Sequence, residues 1–173
     1  MTGNSKHTRL VRNAALAAAI LALPTTALAH GTADHEKKAS TSLSTEEHAF
    51  GIQGDPRKAR RTVVLSMDDT MRYSQSQIRV SQGETITFAV TNKGKLMHEL
   101  VLGTDDDLRK HADLMRKNST MEHDEPYMAH VQPGTTERIT WKFTKFGTFL
   151  YGCLVPGHFE AGMLGRIVVA GAK

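Results

Sequence analysis

Between Arg61 and Ala170 the chain is a succession of short runs rich in β-branched and aromatic residues, each closed by turn chemistry, and this pattern restricts the fold more than any other feature of the sequence. The runs cover 62–67, 77–80, 85–92, 98–103, 136–144, 148–153 and 165–170, many of them with alternating apolar positions. Gln82-Gly83, Asn92-Lys93-Gly94, Pro133-Gly134 and Gly147 supply the breaks. About seven such runs in about 110 residues predict an all-β, antiparallel Greek-key β-sandwich over residues 58–173, with Ile139, Trp141 and Phe143 facing its core. One helix is inserted at about 105–117: Thr104 is its N-cap, Asp105 to Asp107 suit the positive end of the dipole, and Leu108, His111 and Met115 recur at helical spacing.

The N-terminal stretch reads as an export signal. Lys6, Arg9 and Arg12 form a positive n-region, Asn13 to Leu23 an Ala/Leu-rich h-region, and Ala27-Leu28-Ala29 a signal-peptidase site. Cleavage after Ala29 is expected, by the Sec route because no Arg-Arg pair precedes the apolar run. That run is shorter than a spanning helix needs, so no membrane span is expected in the mature protein. Residues 30–57 are polar and small and read as a flexible tail carrying His30, His35 and His48. Loss of residues 1–29 lowers Lys+Arg from 22 to 19 against 18 acidic residues, a net charge of about +1. With no basic cluster interleaved by aromatics, nucleic acid is not expected as a partner.

An exported chain meets an oxidising compartment, yet this one has a single cysteine, Cys153. Burial, an intermolecular bridge or a metal would each explain a lone thiol there. The segment Tyr151-Gly-Cys-Leu-Val-Pro-Gly-His-Phe-Glu-Ala-Gly-Met163 sets thiol, imidazole and thioether at Cys-x4-His-x4-Met, with a Pro156-Gly157 turn to bring them together. His98 is the candidate fourth ligand, since it begins a strand whose Leu100 and Leu102 share its face. Two imidazoles, a thiolate and a weak thioether form a set that suits both Cu(I) and Cu(II), whereas structural zinc seldom takes a thioether.

These residues make the chain resemble the cupredoxins, the plastocyanin- and azurin-like type 1 copper proteins, and especially the copper-tolerance cupredoxins of bacterial periplasms. The resemblance runs from about residue 60 to the C-terminus and includes Phe149-x-Tyr151-x-Cys153. It implies one type 1 copper per chain, with His98, Cys153 and His158 as equatorial ligands and Met163 as the axial one. Two positions depart from the family pattern. Glu99 stands where many cupredoxins carry an asparagine that ties down the cysteine loop, and Leu154 follows the cysteine in place of Ser or Thr, so the loop must be held differently.

The remaining soft ligands divide. Met67 and Met115 are expected in the core, and Met97 beside His98 as a shield against water. Met121, His123, Met128 and His130 fall in a polar loop over 118–130 and form a candidate second copper set. The functional expectation is a periplasmic, monomeric copper protein without enzymatic activity, cycling Cu(I)/Cu(II) in copper tolerance with a redox partner that the sequence does not identify. A dedicated electron carrier is the alternative. A copper oxidase would add further copper centres built from His-x-His or His-Cys-His pairs, which the sequence lacks.

Overall fold

The computed structural model describes residues 42–118 and 124–172. Ten strands form two five-stranded sheets packed face to face: β1 (Ile52–Gln53), β2 (Arg61–Asp68), β3 (Arg72–Tyr73), β4 (Gln77–Ser81), β5 (Thr85–Asn92), β6 (His98–Gly103), β7 (Met128–Val131), β8 (Thr136–Lys142), β9 (Gly147–Gly152) and β10 (Leu164–Ala170). The first sheet has the order β1-β8-β5-β2-β3 and the second β4-β10-β9-β6-β7. The Greek-key β-sandwich is therefore the architecture, but it is not wholly antiparallel as expected. β2 runs parallel to β5, and β4 parallel to β10. Chain segments that cross from one sheet to the other and return bring like-directed strands side by side, a relation that alternation within a single strand does not encode.

Alternation sets the core. Along β8, Ile139 and Trp141 point inward, followed by Phe143, and all three are buried as anticipated. Trp141, Tyr151, Phe88 and Phe143 are fully enclosed, and side chains of this size stabilise by roughly 1.5–3 kcal/mol each on burial.

β6 is buried on both faces. His98, Leu100 and Leu102 enter the sandwich, while Val101 on the opposite face lies under the helix α1 (Asp105–Lys117) in a second cluster with Leu108, Ala112, Met128, Leu154 and Phe159. The helix starts as predicted: the Asp107 amide donates to Thr104 Oγ1 at 3.1 Å and the Thr104 amide to Asp107 Oδ2 at 3.1 Å, a reciprocal capping box. Its buried stripe is Leu108, Ala112 and Met115, with Ala112 taking the place expected for His111.

Two expectations change. Residues 48–57 are not a flexible tail. Phe50 is 3% exposed and stacks on Trp141 with centroids 5.1 Å apart, the Trp141 indole donates to the Phe50 carbonyl at 3.1 Å, and β1 pairs with β8. Gly51 makes this fit possible: at φ 131° a Cβ would lie 2.1 Å from the Lys142 carbonyl oxygen. The folded unit thus begins before residue 58. The second change concerns the expected loop over 118–130, whose last residues form β7 on the edge of the second sheet. Among the described residues no helix is long and apolar enough to cross a membrane.

Candidate metal centre

His98 opens β6, Cys153 follows β9 directly, and His158 and Met163 lie on the connection to β10. That connection is folded on itself by its own backbone. The Cys153 amide donates to the Met163 carbonyl and the Met163 amide to the His158 carbonyl, both at 3.1 Å, while the His158 amide closes a turn on Val155 at 2.9 Å. The sequence spacing is thereby converted into proximity at one end of the sandwich.

His98, Cys153 and Met163 are fully buried, and His158 is 9% exposed. Nδ1 of His98 lies 3.2 Å from Nδ1 of His158, and the Cys153 sulfur lies 3.3 Å from His158 Nδ1 and 3.9 Å from His98 Nδ1. Each of the three residues offers a ligand atom within 4.8 Å of the others. This convergence of two ring nitrogens and a sulfur on one buried point fits a single copper ion, whose two oxidation states take imidazole and thiolate together. No other such group of His, Cys, Asp or Glu occurs among the described residues.

Burial pushes the Cys153 thiol up to about 12, against the opposing effect of amides that donate to its sulfur, the Glu99 amide at 3.3 Å among them. The metal-free site therefore holds a neutral thiol at pH 7, and the thiolate needed for ligation forms only as a cation replaces the proton. Desolvation, followed by the neighbouring His98, lowers the pKa of His158, which favours the neutral ring that a metal requires.

The residues around the ligands answer how the loop is held. Glu99, 2% exposed, accepts from the Leu154 amide at 3.2 Å through Oε2 and meets His130 Nδ1 at 3.0 Å through Oε1. Its backbone carbonyl accepts from the buried Tyr73 hydroxyl at 2.5 Å. One side chain thus ties the cysteine loop to β7 across β6. On the other side Asp69 Oδ1 lies 3.1 Å from His98 Nε2. Sequence reasoning marks Glu99 as a departure without finding His130 as its partner, and it does not find Asp69, which lies in a hairpin turn far from His98 in the chain.

Of the candidate second copper set, Met121 and His123 lie outside the described residues, as do His30 and His35. The other two members are engaged elsewhere. Met128 is 5% exposed within the cluster beneath α1, because it alternates on a strand that faces the helix, and His130 is held by Glu99. His48 packs against Phe50, Tyr127 and Trp141. Met67 and Met115 are core residues, as expected.

Comparison with known proteins places the chain among copper-binding proteins. The model of the copper-binding proteins of the plastocyanin/azurin family matches residues 61–170. The chain is 43% identical over 162 residues to the copper-resistant cuproprotein CopI of Rubrivivax gelatinosus, covering 93% of this chain and 98% of that one. It is 27% identical over 168 residues to the copper-resistant cuproprotein CopI of Vibrio cholerae, covering 91% and 99%. Among solved structures, reduced auracyanin of Roseiflexus castenholzii superposes with a TM-score of 0.56 at 24% identity, over 65% of this chain and 98% of that one. Auracyanin B gives 0.57 at 21% identity, over 72% and 96%.

Proposed function

This chain belongs to the plastocyanin/azurin family of copper-binding proteins, and from that premise we propose that it is an exported copper-tolerance protein in which His98, Cys153, His158 and Met163 would hold one copper ion. The observation that carries the reading is the buried meeting of two Nδ1 atoms and one sulfur within 4.8 Å. Copper, when bound, supplies a one-electron Cu(I)/Cu(II) couple. The protein's part is to exclude water and hold the ligands still: His98 is fixed by β6, Cys153 by β9 and its loop bonds, and neither has a solvent face. Ligands that move little between oxidation states favour electron transfer over bond-making.

Support for copper tolerance comes from relatives named as copper-resistant cuproproteins that match nearly the whole chain. His48, Met128 and His130 add nothing to that support, since they are engaged in packing or pairing. In this reading residues 1–29 are removed on export, the protein works in the periplasm, and its chemistry is redox cycling without catalytic turnover.

The test joins spectroscopy to physiology. Purified protein with Cu(II) should show an intense thiolate-to-copper band that Cys153→Ser abolishes, and deletion of the gene should lower the copper concentration that stops growth. An unchanged spectrum in the variant would sink the ligand assignment. Normal copper tolerance with impaired respiratory or photosynthetic electron flow would replace copper tolerance by a carrier role.

A further inference from the structure

We infer that Asp69 is a positioning residue for the copper site, holding His98 in the tautomer that ligates and biasing the site towards Cu(II); the inference rests on the reading of His98 as a ligand. Asp69 sits in the turn between β2 and β3. There Asp68 accepts from the Thr70 amide and hydroxyl, the Met71 amide closes on the Asp68 carbonyl at 3.1 Å, and Met71 is held at φ 59°. A non-glycine residue in the left-handed region is strained, so the turn is kept by its surroundings.

The Asp69 carboxyl reaches across to the segment that delivers His98. Oδ2 accepts from the Lys95 amide at 2.8 Å, and Oδ1 accepts from the Leu96 amide at 3.2 Å and lies 3.1 Å from His98 Nε2. The other side of that segment is built on buried Asn92, whose amide donates to the Leu96 and Val131 carbonyls. Gly94 leaves room for the carboxyl, since a Cβ there would stand 2.1 Å from Oδ1. Asp69 from the β2–β3 turn and Asn92 from the end of β5 therefore frame residues 93–97 and fix where His98 begins.

A carboxyl facing Nε2 puts the ring proton on that nitrogen and leaves the Nδ1 lone pair directed at Cys153 and His158. It also raises the basicity of the ring as a ligand. The more highly charged Cu(II) would gain more from this than Cu(I), so Asp69 would lower the reduction potential of the bound couple.

Asp69→Asn tests the inference, because the carboxamide oxygen still accepts a hydrogen bond while the charge is removed. The variant should keep the thiolate band, while its affinity for Cu(II) relative to Cu(I) falls about tenfold, read as an upward shift of about 59 mV in the potential. Asp68→Asn, which removes a neighbouring charge that hydrogen-bonds Thr70 and not His98, should shift the potential less. In metal-free wild-type protein, two-bond proton–nitrogen NMR correlations should place the His98 proton on Nε2. Equal potentials in wild type and Asp69→Asn with the band intact would overturn the inference, as would equal shifts in the two variants or a His98 proton on Nδ1. Should Asp69→Asn fail to fold, the tautomer in the wild-type protein decides. A wild-type protein without the thiolate band overturns the ligand assignment itself, a failure that the potentials of a coloured protein keep distinct.

Discussion

Removing the Glu99 side chain should destabilise the metal-free protein more than any other single truncation of a polar residue around the site. Glu99→Ala leaves the buried Leu154 amide without its 3.2 Å acceptor, separates His130 from its 3.0 Å partner, and empties a buried space at a residue that is 2% exposed. A hydrogen bond to a charged group contributes about 1.5–3 kcal/mol and an orphaned buried amide costs about 1–3 kcal/mol. His130 is partly open to water, which screens its share of the pairing. A loss of about 3 kcal/mol follows, and in a domain of this size that corresponds to a fall of about 10 °C in Tm. Glu99→Gln, which keeps an acceptor for Leu154, should lose only about 1 kcal/mol. Guanidinium unfolding of wild type, Glu99→Ala, His130→Ala and the double variant completes a cycle in which the two single losses should fail to add by about 1 kcal/mol. If Glu99→Ala lies within about 0.5 kcal/mol of wild type, Glu99 does not anchor the cysteine loop, and the loop's own backbone bonds must suffice.

Two other outcomes follow from the packing and the buried thiol. Phe50→Ala should cost about 3–4 kcal/mol through loss of its stack on Trp141, and deletion through residue 53 should do at least as much by thermal unfolding; an unchanged Tm in both would restore the reading of this segment as a tail. The Cys153 thiol, ordinarily near 9, is pushed up to about 12 by burial, so the native state retains a proton that the unfolded chain gives up. This contribution to metal-free stability is present in full below about pH 9 and is lost as the pH rises towards about 12. Across that window wild type should lose stability more steeply than Cys153→Ser, and parallel curves would contradict the burial argument.

The strands that could be read in advance are those whose own residues determine them. β5, with Thr85, Ile86, Thr87, Phe88 and Val90, and β8, with alternating Ile139 and Trp141, carry their pattern within one run. The helix was equally legible, since its capping box and acidic first turn are local chemistry. β1 and β3 have two residues each and β7 has four, too few for a period to emerge. They exist because a partner strand offers unpaired backbone groups. Phe50 shows the same limit at the domain boundary. In a polar stretch, one aromatic residue does not outweigh its neighbours until Trp141 and Tyr127 are known to surround it.

The site divides along the same line. Cys153, His158 and Met163 lie within eleven consecutive residues, so their spacing carries their role, and His98 could be added because a strand fixes the direction of its side chain. The contacts around these proposed ligands are made between residues that are not near one another in the chain. Glu99 works through Leu154 and His130, and Asp69 works through His98, each across a strand pairing or a turn that no local pattern announces. A family template makes Glu99 visible only as a mismatch, because the template's asparagine and this glutamate reach the same loop with side chains of different length and charge. Which metal binds can be inferred from residue types and spacing, whereas the oxidation state the site favours depends on the hydrogen bonds around the ligands, and those required the fold.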